Sequence, residues 1–270
     1  MDRTVSKDAM YRYLLVLTVA SAIGLQGWRT LFNNIAVEIA GLNGSQVGII
    51  QSVREIPGFL ALLVVPVLLV MREHRLSALS ILCLGVGVGA TGLMPTMGGI
   101  VLTTLVMSFG FHYYETTNQS LTLQYFDQAT APIVFGRQRS YAAATNIAVG
   151  LAIYGMAFLL PYVAMYLLMG ALLCGLAFWG FAQDPVRSDL PVQRKHMVLR
   201  KQYALFYLLT FLSGARRQIF IAFAVFLMVA RFDFSVQEIT LLFVVNNGVN
   251  YYLSPLIGKA IVRFGERRVL

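Results

Sequence analysis

The feature that most limits this chain is a series of eight apolar runs, each long enough to cross a lipid bilayer as a helix. They cover residues 11–37, 46–70, 77–94, 98–126, 139–160, 162–182, 203–230 and 236–262. A hydrocarbon core about 30 Å thick takes roughly 20 helical residues. Backbone groups in lipid must be satisfied within a helix or around a closed barrel. The runs lack the period-2 alternation of barrel strands, so they predict helices. Composition agrees, with 58% apolar and 12% charged residues, against about a quarter charged in a soluble domain. Too little polar surface remains to cover a water-soluble globule of this size. That excludes a soluble enzyme, a disordered chain and a disulfide scaffold. The expected fold class is an all-α polytopic membrane protein, with the lipid bilayer as its first partner.

The net charge of +9 comes from 21 Lys and Arg against 12 Asp and Glu. Nucleic-acid binding is not the reading, because the basic residues fall in short gaps between the runs. Alternate gaps hold Arg3, Lys7 and Arg12; Arg72 and Arg75; Arg137 and Arg139; Arg187, Arg194, Lys195, Arg200 and Lys201; and Lys259, Arg263, Arg267 and Arg268. The other gaps hold only Arg231, and Arg29, Arg54, Arg216 and Arg217 lie within runs. This is a positive-inside pattern, and it predicts a multi-pass protein with both termini of the chain cytoplasmic. The short loops suit a bacterial inner (plasma) membrane. The first run is too long for a cleavable signal. Cys83 and Cys174 both lie inside runs and read as core packing.

The longest gap, residues 183–202, holds Pro185, Pro191 and five basic residues, and is expected to be helical from about Val192 onward. It reads as a cytoplasmic linker between a six-helix bundle (residues 1–182) and a partial two-helix bundle (residues 203–270). The two sides are alike. The first run carries Gly27-Trp28-Arg29-Thr30-Leu31-Phe32, and the seventh carries Gly214-Ala215-Arg216-Arg217-Gln218-Ile219-Phe220. Parallel repeats of this kind occur in transporters built from two six-helix halves.

Six helices, a basic central loop and a second half that begins like the first resemble the major facilitator superfamily. That family's motif Gly-x-Leu-x-Asp-Arg-x-Gly-Arg-Arg follows its second helix and is echoed after the eighth. Here the second copy runs from Gly258 through Arg263, Gly265 and Arg267, with Val262 at the Asp position. The first copy, residues 66–75, is nearly lost, with Val70 and Met71 at the Asp and Arg positions. Gly136-Arg137-Gln138-Arg139 is similar to the family's basic turn before the fifth helix. The resemblance implies two bundles that rock around a central site, giving alternating access. It also implies four further helices beyond residue 270 and hence a truncated sequence; a natural eight-helix protein is the other reading.

Ionisable side chains inside a span cost about 2.5–3.5 kcal/mol each on insertion scales, so they face cavities or pair. Gln26, Arg29 and Asn33 share one helical face, beside Thr30 and Asn34, and predict a cavity lining with Arg29 as an anion contact. Arg54 and Glu55 are adjacent, about 100° apart, so the expectation is that they do not pair with each other. Glu55 is expected to face Arg29 at a similar depth, as an ion pair or a proton site. Pro57 and Gly58 should kink this helix. His112, Glu115, Gln119 and Thr122 share a face of the fourth run, where Glu115 is the leading candidate for proton coupling and His112 its aid. Arg216 and Arg217 sit at the middle of the seventh run, placed to engage a carboxylate or phosphate. Asn246, Asn247 and Asn250 add amides on the eighth.

Other matches read as packing. Gly87-Val88-Gly89-Ala90-Thr91-Gly92 fits a dinucleotide fingerprint, but no strand precedes it. Gly85 and Gly89 form a small-xxx-small pair for close helix packing. Met165 and Met169 do not make a metal site. The sequons at Asn43 and Asn118 fall in a tight turn and within a run. No catalytic constellation, metal spacing or cofactor signature is visible. The expected function is a permease, a secondary transporter of a small organic anion or zwitterion, with the proton as candidate coupling ion. A drug or metabolite exporter of the same fold is the alternative, and a non-transporting membrane sensor or assembly protein is the third reading.

Overall fold

The structure, a computed structural model, describes residues 9–186, 200–209, 212 and 236–269, with the backbone alone at 236–244 and 267. The described residues are helical and contain no strand. The helices are α1 (Ala9–Asn34), α2 (Gly44–Phe59), α3 (Val64–Val67), α4 (Glu73–Leu93), α5 (Met97–Tyr125), α6 (Ala131–Met156), α7 (Tyr162–Ala182), α8 (Val236–Phe264) and α9 (Glu266–Val269). Among the described residues, four segments are long and apolar enough to cross a membrane: Ala9–Ile39, Gly44–Val67, Glu73–Leu93 and Tyr162–Ala182. Helices α5, α6 and α8 have the length, 29, 26 and 29 residues, but are more polar. Thus four of the eight expected spans stand out by apolarity. Most of the seventh run, with Arg216 and Arg217, lies outside the described residues, as does most of the linker.

Local chemistry explains the helix ends. Asn43 caps α2: its side chain accepts from the Gln46 amide at 3.0 Å, and the Gln46 side chain accepts from the Asn43 amide at 2.9 Å. This reciprocal box satisfies two orphan donors of the first turn. The Asn of the first sequon is therefore a helix cap. Helix α1 widens into a π turn, Ile35–Ile39, and the chain reverses at Gly41, whose φ of 64° suits glycine. Helix α8 stops at Gly265, φ 83°, whose amide bonds the Ile261 carbonyl at 2.8 Å. That is a left-handed C-cap, so the motif glycine ends a helix.

Helix α4 packs between α5 and α7, while α1 lies against α6, α7 and α4, α2 against α5, and α8 against α6. Glycines set the closest of these approaches. A Cβ on Gly85 would sit 2.8 Å from Leu173 Cβ, and one on Gly89 3.4 Å from Gly170 Cα. Both face α7. Gly87, two positions from each, points the other way, and a Cβ there would strike the Met107 backbone of α5. The apparent fingerprint is thus a two-sided packing stripe. Hydroxyl pairs tie α4 to α5: Ser77 donates to Thr117 at 2.8 Å and Thr91 to Thr103 at 3.1 Å. Bonds of this kind contribute about 0.6 kcal/mol each in a membrane protein. Cys83 and Cys174 are free thiols, half-buried on α4 and α7, and a Cβ on Gly85 would lie 3.2 Å from Cys174 Sγ.

Two expectations about helix limits change. The fifth helix begins at Ala131, with Pro132 in its first turn, so Gly136-Arg137-Gln138-Arg139 is helical and not a turn. Proline is suited to that position because its missing N–H would be unpaired there anyway. The second helix is broken as expected, giving way to a 3₁₀ turn at Leu60–Leu63, three residues after Pro57. Its last piece, α3, ends at Val67, short of the expected limit at Val70.

Candidate functional site

The break in α2 gathers the most charged group among the described spans. Arg54 and Glu55 pair, with Arg54 Nη2 donating to Glu55 Oε1 at 2.7 Å and Nε to the same oxygen at 3.2 Å. This overturns the expectation that they stay apart. Adjacent Cβ atoms do diverge on a helix, but the Arg stem is long enough to swing back around the helix surface. The two side chains are 16% and 32% exposed.

The guanidinium lies 5.7 Å from the centroid of the Trp28 ring on α1, within cation–π range. Trp28 is fully buried and stacks on Phe32 at 4.4 Å. The Ser108 hydroxyl of α5 donates to the Arg54 carbonyl. Pro57 has no N–H to offer the preceding turn, and Ser108 supplies a donor to a carbonyl of that turn. One turn along α5, the His112 ring packs where a Gly58 Cβ would lie 3.1 Å from its Cε1. Tyr113 donates to the Leu60 carbonyl at 3.4 Å. Arg54, Glu55 and His112 are thus held around one helix break.

The other predicted residues are more spread out. Gln26 is half-buried, donates to Thr30 at 3.2 Å, and its carbonyl accepts from the Thr30 hydroxyl at 2.9 Å. Arg29 and Asn33 are exposed on the same side of α1, away from the buried stripe of Trp28, Leu31, Phe32 and Ile35. Glu115 is half-buried on α5, and Gln119 is exposed. Thr122 is fully buried and accepts from Gln138 at 3.2 Å. Asn247 accepts from Asn146 of α6 at 3.2 Å. Arg263 stacks over Phe264 at 5.2 Å, and Arg267 lies in α9.

Sequence reasoning missed the groups that join helices. The Asn118 and Gln138 amides exchange hydrogen bonds at 3.2 Å in both directions. Thr18 and Tyr114 hydroxyls meet at 3.0 Å. Ser140 donates to the Tyr251 carbonyl at 2.7 Å, four residues before Pro255, which lies inside α8. That carbonyl is the one a helical Pro255 leaves without its N–H partner. The available signal was a proline in one apolar run and a serine in another, with nothing in the sequence to say that they meet.

Helices α6 and α8 cross closely as well. A Cβ on Gly136 would lie 3.2 Å from Pro255 Cα, and one on Gly258 3.3 Å from Ile133 Cα. Both glycines belong to the stretches that carried the resemblance. No family model matches the chain, and no curated protein is significantly similar to it.

Proposed function

We propose that the protein is a secondary transporter of the major-facilitator type, multi-pass in a bacterial inner membrane, moving a small organic anion or zwitterion by alternating access. The observation that carries this reading is the Arg54–Glu55 pair at the break of α2, ionised groups kept part-accessible within an apolar segment. Ionisable groups within an apolar segment are costly to insert and so face a cavity or pair with one another. An Arg–carboxylate pair can exchange partners. A proton on Glu55 weakens its hold on Arg54, and the freed guanidinium can take a substrate carboxylate bidentately. His112 and Glu115 stand within a few residues of each other along α5 as proton relays. Arg29, Arg216 and Arg217 add positive charge for the anion.

The close α6–α8 crossing supports the reading from another side, since it joins segments from the two sides of the basic linker. A drug or metabolite exporter of the same fold is the second reading, favoured by an apolar pocket at one end of the bundle.

The test is flux into proteoliposomes under an imposed pH gradient, with a panel of radiolabelled organic anions, zwitterions and cations. The proposal expects uptake of an anion or zwitterion that the gradient stimulates and Glu55→Gln uncouples. Gradient-independent export of cations alone would select the exporter. Absence of flux for every solute would leave a sensor or assembly role.

A further inference from the structure

At the end of the bundle opposite the N-terminus, an open cavity of about 410 Å³ lies between α1 and α7. Ile35 and Ile39 of the π turn, Leu160 and Pro161 of the α6–α7 connection, and Val163 and Met165 of α7 line it. Its size falls in the range of small-molecule sites, about 300–1,000 Å³. Tyr162 belongs to the wall, and its hydroxyl donates to Glu38 Oε2 at 2.8 Å. Asn34 donates to Glu38 Oε1 at 2.6 Å. The carboxylate is therefore held beside Tyr162 of the wall by one donor per oxygen, and it remains exposed. The π turn produces this placement: the extra residue per turn puts Glu38 within reach of α7 while Ile35 and Ile39 face the cavity.

A pocket with mostly apolar walls, and a carboxylate oriented by the tyrosine of one wall, is complementary to an apolar body with a cationic head. We infer that this cavity is a binding site for a single-chain hydrophobic cation, with the chain among Ile35, Ile39 and Met165 and the ammonium group on Glu38. The charge pattern agrees, since the positive-inside rule puts this end on the face that carries few basic residues. The site is separate from the Arg54–Glu55 group and stands whichever cargo the protein moves.

The test is equilibrium binding of radiolabelled dodecyltrimethylammonium to the purified full chain in a nonionic detergent, with dodecanol as the uncharged probe. Glu38→Gln should weaken the ammonium probe about tenfold, as expected for loss of a charge-assisted contact, and leave dodecanol unchanged. Ala157→Trp, at another lining position, should weaken both. Unchanged ammonium binding in Glu38→Gln would overturn the assignment, as would equal loss of both probes in that variant. Full displacement by phosphatidylethanolamine vesicles, with the same Glu38 dependence, would give the site to a lipid and overturn the free-cation occupant.

Discussion

Helices α4 and α2 are both apolar enough to span a membrane, yet they are built oppositely. The most apolar stretch of α4 is 67% buried, that of the α2–α3 segment 17%. Helix α4 achieves this with glycines on two faces, so that α5 and α7 approach its backbone. The α2–α3 segment carries Pro57, a 3₁₀ turn and an ion pair, and exposes Phe59, Leu62 and Leu63. In lipid, apolar side chains gain nothing by meeting each other instead of acyl chains, so close association relies on small residues and hydroxyl pairs. A helix with those devices becomes a fixed post. One without them lies at the edge, where a break and a charge pair are tolerated. The tightly held part of the molecule and its proposed working part are therefore different helices.

The largest effect should come from filling the α4 stripe. Gly87→Val places carbon against the Met107 backbone, which cannot move as a side chain can, and should destabilise by roughly 3 kcal/mol, the upper end for overpacking. Unfolding in mixed detergent measures it. Gly48→Ala on α2, where a Cβ meets nothing within 4 Å, should instead be neutral or stabilise by up to about 1 kcal/mol. If the two variants behave alike, the contrast between the helices fails.

The second effect concerns how broken helices are repaired. Ser140→Ala should destabilise by about 0.6–1.7 kcal/mol, the range for interhelical bonds in a membrane protein. In a Pro255→Ala background the helix supplies its own N–H, and the Ser140 effect should vanish. A double-mutant cycle with no coupling would refute this account.

Smaller again is Glu55→Gln. Because the pair is partly exposed, its loss should lower stability by no more than about 1 kcal/mol while removing the pH dependence of flux. Stability loss well above that would make the pair a structural strut and bring α2 closer to α4 in kind.

The smallest effect lies outside the spans. Asp127 is fully exposed, and its carboxylate is held below the usual aspartate range by the side chain and backbone of Thr130. A lowered value means that the folded state resists protonation. The contribution is complete above about pH 4, the unfolded aspartate value, and fades as pH falls through the lower folded value. Asp127→Asn should flatten that acid dependence in a melt series, with any small loss of stability seen at neutral pH and not in acid.

Some of this was legible in the chain. The sixth run, residues 162–182, has the limits of α7, because Pro161 and the polar residues after Ala182 bound an uninterrupted apolar stretch. The break at Pro57 followed from proline's missing N–H. The start of the fifth helix is not legible, because a Gly-Arg-Gln-Arg stretch looks like a loop until its glycine is seen packed on α8. The Arg54–Glu55 pair was missed because helical spacing describes Cβ directions, and a long side chain need not follow them.

The sequence by itself determined that the chain is helical, rich in apolar segments and charged at only a few points within them, since burial in lipid and backbone hydrogen bonding leave few other solutions. It also marked where helices must bend or stop, because proline and glycine act on their own backbone. Only the tertiary structure decided which glycine faces which neighbour and which serine serves which freed carbonyl. Those choices depend on contacts between residues tens to more than a hundred positions apart, and a periodicity confined to one helix carries no information about the helix beside it.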